Sequence, residues 1–268
     1  RMSFLRDLNL SAATAGFVAV LVGFTSSVAI VFQAALAFGA TPELITSWMW
    51  ALGLGMGLCS AIPSLILKQP VMVAWSTPGA AVLASAGLAG GFSMAQAVGA
   101  FMVCAVLIVL AGATGWFERV MNRIPVAIAS ALLAGVLARF GLQAFGAAHD
   151  ALLLVVLMLL TYLLGRRWVP RYAVPLTLLV AVLTVSSQGQ LQTSALKVDW
   201  AVPVFTAPEF SWSAVISLAL PLFVVTMASQ NLPGVAAIRS AGYPMPISKL
   251  ITLTGLATLV LAPFGAFA

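Results

Sequence analysis

The residues best placed to do chemistry in this chain are neutral ones that can hold an anion. Residues 69–117 contain no Asp, Glu, Lys, Arg or His, and near their start Trp75-Ser76-Thr77-Pro78-Gly79 interrupts the apolar run. Pro78 suits the first turn of a helix, where its missing N–H costs nothing. Ser76, Thr77 and Gly79 then stand at a helix N-terminus, whose unpaired N–H groups and positive dipole end favour an anion. In a bilayer, non-helical backbone survives only where protein or a water-filled cavity satisfies it. An interrupted span is therefore the best sequence pointer to a carrier's binding site. Trp75, beside the break, offers a ring that either stacks on a flat ligand or packs in the core.

A second set of candidates consists of amides and hydroxyls. Gln33 lies in the first apolar run, and Ser229, Gln230 and Asn231 lie in a late one. Amides in lipid are costly unless paired, so these residues either tie helices together or line a ligand site. Ser26 precedes Gln33 by seven residues, which puts both near one face of a continuous helix, with Thr25 and Ser27 beside them. Ser229-Gln-Asn-Leu-Pro-Gly234 repeats the chemistry of the Ser-Thr-Pro-Gly break. Arg139 falls inside an apolar segment, where it either snorkels to the surface or serves as counter-charge to an anionic substrate. His149 beside Asp150 reads as a surface pair rather than a proton relay. Acidic residues occur at Asp7, Glu43, Glu118, Asp150, Asp199 and Glu209, all at segment ends or in loops, although a proton-coupled carrier usually keeps an ionisable group at depth. Nothing resembles a nucleophile–base pair, a Walker loop or a metal cluster, so neither an enzyme nor a cofactor or metal is expected.

The elements that position these residues follow from composition. The chain is 62% hydrophobic and 7% charged, with a mean hydropathy of +1.13. A soluble domain has about a quarter of its residues charged, so this is an integral membrane protein. The net charge of +6 comes from basic residues scattered between apolar stretches, a pattern of lipid headgroups and topology rather than nucleic acid. Cys59 and Cys104 are too few for a disulfide framework or a metal site. Arg1–Asp7 precedes a span too long for a signal peptide's apolar region.

Crossing the hydrocarbon takes about 20 apolar residues. On that rule the chain has nine candidate spans, near 11–37, 47–67, 71–90, 94–115, 124–146, 150–166, 172–187, 212–237 and 248–266. The eighth carries Pro221 and Pro233 and is expected to kink or partly unwind. Arg1, Arg6, Lys68, Arg119, Arg123, Arg166, Arg167, Arg171, Arg239 and Lys249 all fall on one side of that arrangement. By the positive-inside rule that side is the cytoplasm, and it holds the N-terminus. Trp48, Trp50, Trp116, Trp168, Trp200 and Trp212 lie near span ends or in the linker, as interfacial anchors do. Gly53, Gly55 and Gly57 suit close helix approach.

Residues 188–211 read as an external linker. Seven spans before it would make the eighth start opposite to the first, the arrangement of inverted-topology repeats. Leu44-Ile-Thr46 and Leu250-Ile-Thr252, which open spans two and nine, are a faint echo of that repeat. The counterpart of the broken third span is due where the sequence stops, at Pro263–Ala268, so the chain reads as a truncated one.

Phe17–Ser27, Ala74–Ala80, Arg123-Ile-Pro125, Leu133-Ala-Gly135, Arg139-Phe-Gly141 and Gln230–Val235 together resemble the benzoate/proton symporter family. The resemblance covers essentially the whole chain. It implies a fold related to uracil/proton symporters and sulfate-type anion carriers: an all-α integral membrane protein with an inverted-repeat 7+7 transporter fold, here about nine spans, with a broken half-helix as the third. Residues 1–117 and 212–268 would then be core (transport) domain, with 118–187 a gate domain. The implied activity is import of benzoate or a similar aromatic carboxylate with a proton across a bacterial inner membrane. Its partners would be that substrate, the proton and the bilayer, a homodimer being compatible with the reading and nucleic acid not expected. Where nucleobase relatives carry a glutamate in span eight, this chain has Ser229-Gln230-Asn231. A carboxylate substrate would be repelled by a glutamate, so the amide is chemically sensible, and the proton-coupling residue is left unidentified. Alternatives are a nucleobase or inorganic-anion carrier on the same fold, or a passive channel or structural membrane component.

Overall fold

Long apolar runs punctuated by Ser, Thr, Pro and Gly produce helices. The computed structural model describes residues 10–25, 27–123, 138, 141–142, 144–190 and 200–268, and none of them forms a strand. In chain order the helices are Leu10–Thr25 (α1), Val28–Ala37 (α2), Pro42–Leu67 (α3), Thr77–Ala89 (α4), Met94–Ala113 (α5), Trp116–Met121 (α6), Leu152–Trp168 (α7), Ala173–Ser187 (α8), Trp212–Ser240 (α9) and Ile247–Leu261 (α10). Among the described residues, α3, α5, α9 and α10, the last with its extension to Phe264, are long and apolar enough to cross a membrane. At 1.5 Å per residue, the 13 residues of α4 reach only about 20 Å, short of a hydrocarbon core about 30 Å thick.

The chain divides into two compact units, residues 1–26 with 135–199, and residues 27–134 with 200–268. In the first unit α7 and α8 pack as a hairpin around the turn Pro170–Tyr172, with Gly165 against Ala173, and α1 touches α8. The first apolar run is not one continuous helix. It stops at Thr25 and restarts at Val28, with Ser27 between at φ −132° and ψ −1°. The expected sharing of a helical face by Ser26 and Gln33 falls on Ser26, which lies outside the described residues.

The second unit is built around α5 and α10. Their backbones meet closely: a Cβ on Gly112 would lie 2.6 Å from the Thr252 backbone nitrogen, and one on Gly255 2.9 Å from that of Val109. Small residues at such crossings permit tight helix packing in lipid. Of the three glycines expected to serve this purpose on α3, Gly55 alone has a neighbour that near, Leu261. Trp48 is a core residue and not an interfacial anchor. It is 1% exposed and packs edge-on to Phe101 at 5.4 Å and against Phe267 at 5.9 Å. Gly265 turns the chain beneath that ring at φ +103°, where any Cβ would come within 1.9 Å of the indole.

Caps fix the helix ends. Thr41 accepts the Leu44 N–H ahead of Pro42 at the start of α3, and Ser93 with Gln96 forms a reciprocal capping box on α5. Glu118 of α6 accepts both the N–H (3.3 Å) and the hydroxyl of Ser248, placing a carboxylate at the N-terminus of α10. Residues 200–211, from the connection ahead of α9, have no regular secondary structure and are pinned by their backbone. Val204 N–H donates to Ser47 Oγ at 2.9 Å, Thr206 N–H to the Pro263 carbonyl at 2.8 Å, and Glu209 N–H to the Ala95 carbonyl at 2.9 Å.

In α9 the prolines neither break nor unwind the run. The helix widens into π-turns at Val215–Ala219 and Thr226–Asn231, each just ahead of a proline. Proline lacks an N–H and crowds the carbonyl four residues back. A turn bonded five residues apart accommodates that loss, and such turns recur at functional sites.

Candidate functional site

The extended stretch leading to α4 is held by a helix rather than by a sheet. Ser64 Oγ accepts the Val71 N–H at 3.0 Å and donates to the Val71 carbonyl at 3.1 Å. Ser60 Oγ accepts the Val73 N–H at 2.9 Å and reaches the Val73 carbonyl at 3.5 Å. The match is geometric: four residues of helix rise about 6 Å, and two residues of extended chain span about 6.6 Å. Two serines one turn apart on α3 therefore pair with alternate residues of the stretch. At its end, Ser76 N–H donates to the Ala268 carbonyl at 3.1 Å, and the Trp75 indole N–H donates to Ser27 Oγ at 3.0 Å. Sequence reading did not single out Ser60 and Ser64; their signal is two hydroxyls four apart on an otherwise apolar helix.

α4 begins at Thr77, with Pro78 in its first turn. Ser76 is fully buried, and its hydroxyl accepts the Gly79 N–H at 3.0 Å while its carbonyl accepts the Ala80 N–H at 2.8 Å. Pro78 has no N–H to offer. The Thr77 N–H is left as the unpaired donor of this turn among the described residues, and Thr77 is exposed. A side chain on Gly79 would meet Leu222 Cδ1 at 2.7 Å, so glycine lets the start of α4 press against α9.

Two neighbouring clefts open beside this junction. The first, about 70 Å³, lies between Val73, Ala74 and Trp75, α3 at Met56 and Cys59, α9 at Thr226, Gln230 and Asn231, α10 at Thr254 and Thr258, and Phe267. The second, about 150 Å³, shares Val73, Ala74, Gln230, Asn231 and Thr254 and continues along Gly234 and Ile251. Neither is lined by a charged side chain among the described residues. Of the residues singled out from sequence, Trp75, Gln230 and Asn231 come together here. Asn231 Nδ2 makes a weak 3.4 Å contact to Met227 Sδ. Ser76, Thr77 and Gly79 form the helix start next to Trp75 without lining either cleft. Gln33 and Ser229 are exposed and line neither, and Arg139 lies outside the described residues. His149 and Asp150 pair at 3.0 Å in the other unit, both largely exposed. Thr226, which sequence reading passed over, is buried in the first cleft with its hydroxyl unpartnered.

This arrangement brings two largely buried aromatic residues, apolar walls and neutral hydrogen-bonding groups to one cleft, a chemistry of binding and orientation. Residues 6–268 match the family described as benzoate membrane transport protein. The chain is similar to the inner membrane protein YdcO of Escherichia coli K12, with 47% identity over 253 residues, covering 94% of the chain and 64% of that protein. It is also similar to the benzoate membrane transport protein of Acinetobacter baylyi, with 39% identity over 263 residues, covering 98% of the chain and 65% of that protein. The chain thus spans a little under two thirds of the length of these curated relatives. No solved structure matches it.

Proposed function

The chain belongs to the benzoate membrane transport protein family, and on that premise we propose that it is a secondary carrier importing benzoate or a similar aromatic carboxylate with a proton. The observation that carries this reading is the uncharged cleft that Trp75, Phe267, Gln230 and Asn231 line together. A flat ring fits between aromatic and aliphatic walls. The carboxylate would face the amide donors of Gln230 and Asn231, beside the start of α4, whose dipole favours negative charge. Ser76 and Gly79 contribute by setting that helix start.

The wider architecture belongs to the same proposal. Nine spans, of which α4 is the broken third, would form an incomplete 7+7 inverted repeat, with the N-terminus in the cytoplasm of a bacterial inner membrane. Arg119, Arg166, Arg167, Arg239 and Lys249 would lie on the cytoplasmic side.

Uptake of labelled benzoate into proteoliposomes, with and without an imposed pH gradient, tests the reading. It predicts saturable, gradient-dependent uptake that Gln230→Ala and Asn231→Ala each reduce by about tenfold, the worth of one hydrogen bond to a charged group. Unchanged uptake in both variants would sink the site. Competition by uracil or sulfate but not by unlabelled benzoate would point to a nucleobase or inorganic-anion carrier. Uptake indifferent to a collapsed gradient would point to a passive channel.

A further inference from the structure

Threonines inside the helices of this protein spend their hydroxyls on their own backbone. Thr46, Thr114, Thr161, Thr177, Thr184 and Thr252 each donate to the carbonyl four residues back, at 2.6–2.9 Å. This is the default for a helical hydroxyl with nothing better to bond. Thr226 does not do so. It is 4% exposed, its hydroxyl has no partner, and it opens the π-turn that precedes Pro233. Thr258 of α10 also makes no such bond among the described residues. Both line the first cleft, from two different helices.

A buried hydroxyl left unpaired loses hydrogen bonds it had in water, so such a group in a native fold calls for an explanation. The π-turn supplies the geometric half of one, because a wider turn changes how the side chain sits over the preceding carbonyls. The cleft supplies the chemical half, since beside Thr226 it holds apolar groups, aromatic rings and the neutral polar side chains of Gln230, Asn231, Thr254 and Thr258, with no charge among the described residues to compete for the hydroxyl.

We propose that Thr226 is a substrate-binding, specificity-determining residue, whose hydroxyl donates a hydrogen bond to the carboxylate of an aromatic acid bound in this cleft, with Thr258 as a weaker second donor. The proposal rests on the carrier reading above and deepens it. It places the carboxylate toward the π-turn of α9 and the ring between Trp75 and Phe267. It also supplies a reason for selectivity: a charged acceptor gains more from this donor than a neutral one does.

The test is calorimetric titration of the whole purified protein with benzoate and with benzamide, its uncharged analogue. Melting temperatures serve as the fold control. Thr226→Val keeps the shape and removes the hydroxyl, whereas Thr226→Ser keeps the hydroxyl. The proposal predicts that Thr226→Val weakens benzoate by about tenfold or more and lowers the benzoate-over-benzamide preference, while Thr226→Ser stays within about threefold of wild type. Adding Thr258→Val to Thr226→Val is expected to weaken benzoate further. Undiminished benzoate affinity in Thr226→Val, or an equal loss in Thr226→Ser, would overturn the role of Thr226 and leave the carrier reading standing. Wild-type protein that shows no saturable benzoate binding would overturn both.

Discussion

The stretch entering α4 and the π-turn of α9 look alike as sequences and differ in what they have done with their hydrogen bonds. Both place a serine and a neutral polar neighbour shortly before Pro-Gly in an apolar run. In the first, the tethering groups are spent, Val71 and Val73 on Ser64 and Ser60, Ser76 on Gly79 and Ala268 and Trp75 on Ser27, while the Thr77 N–H and the buried Gln69 Oε1 stay unpaired among the described residues. In the second, the Thr226 hydroxyl is unpaired in a cleft and Asn231 has only a sulfur contact. The lesson is a division of labour. The first region holds the backbone in place, and the second keeps capacity in reserve for something that arrives.

The largest effect is expected at the glycine beneath Trp48, in the segment whose Ala268 carbonyl anchors Ser76. Gly265→Ala would force a methyl into the Trp48 ring at a left-handed φ, a cost expected to exceed about 4 kcal/mol. Loss of monodisperse, folded protein in size-exclusion chromatography is the expected outcome; a normal melting curve would mean that Trp48 and Gly265 are not packed this way. Next in size, Ser60→Ala combined with Ser64→Ala would strand two backbone N–H groups. Each unsatisfied group costs about 1–3 kcal/mol, so the pair should lower stability by several kcal/mol in total. Hydrogen exchange should localise the change to the Val71 and Val73 amides. Protection unchanged at those amides would show that α3 does not hold the stretch. Smallest is Ser76→Ala, which removes one N-cap at about 1 kcal/mol and should shift melting by a few degrees.

How much of this was legible in the sequence depends on whether the signal was local. The start of α4 could be read from Ser76, Thr77, Pro78 and Gly79 because capping chemistry involves only neighbouring residues. The four span-length helices could be read because apolar length is also local. What the sequence did not disclose were contacts between distant segments. The Ser60–Val73 and Ser64–Val71 pairing depends on a helix and an extended chain sharing a repeat of about 6 Å. Trp48 sits where a span end was expected, yet the fold buries it under Phe101 and Phe267. Pro221 and Pro233 suggested unwinding, and the answer was a widened turn, a choice set by packing around α9. Thr226 was invisible because its significance lies in a bond it does not make.

The comparison reduces to one paired measurement of benzoate affinity and melting temperature on Ser76→Ala and Gln230→Ala in the whole purified protein. The account predicts that Ser76→Ala lowers the melting temperature and changes the dissociation constant by less than about threefold, while Gln230→Ala weakens benzoate by about tenfold at an unchanged melting temperature. The reverse pattern, with Ser76→Ala losing the ligand and Gln230→Ala losing only stability, would contradict the division between a region that holds and a region that binds.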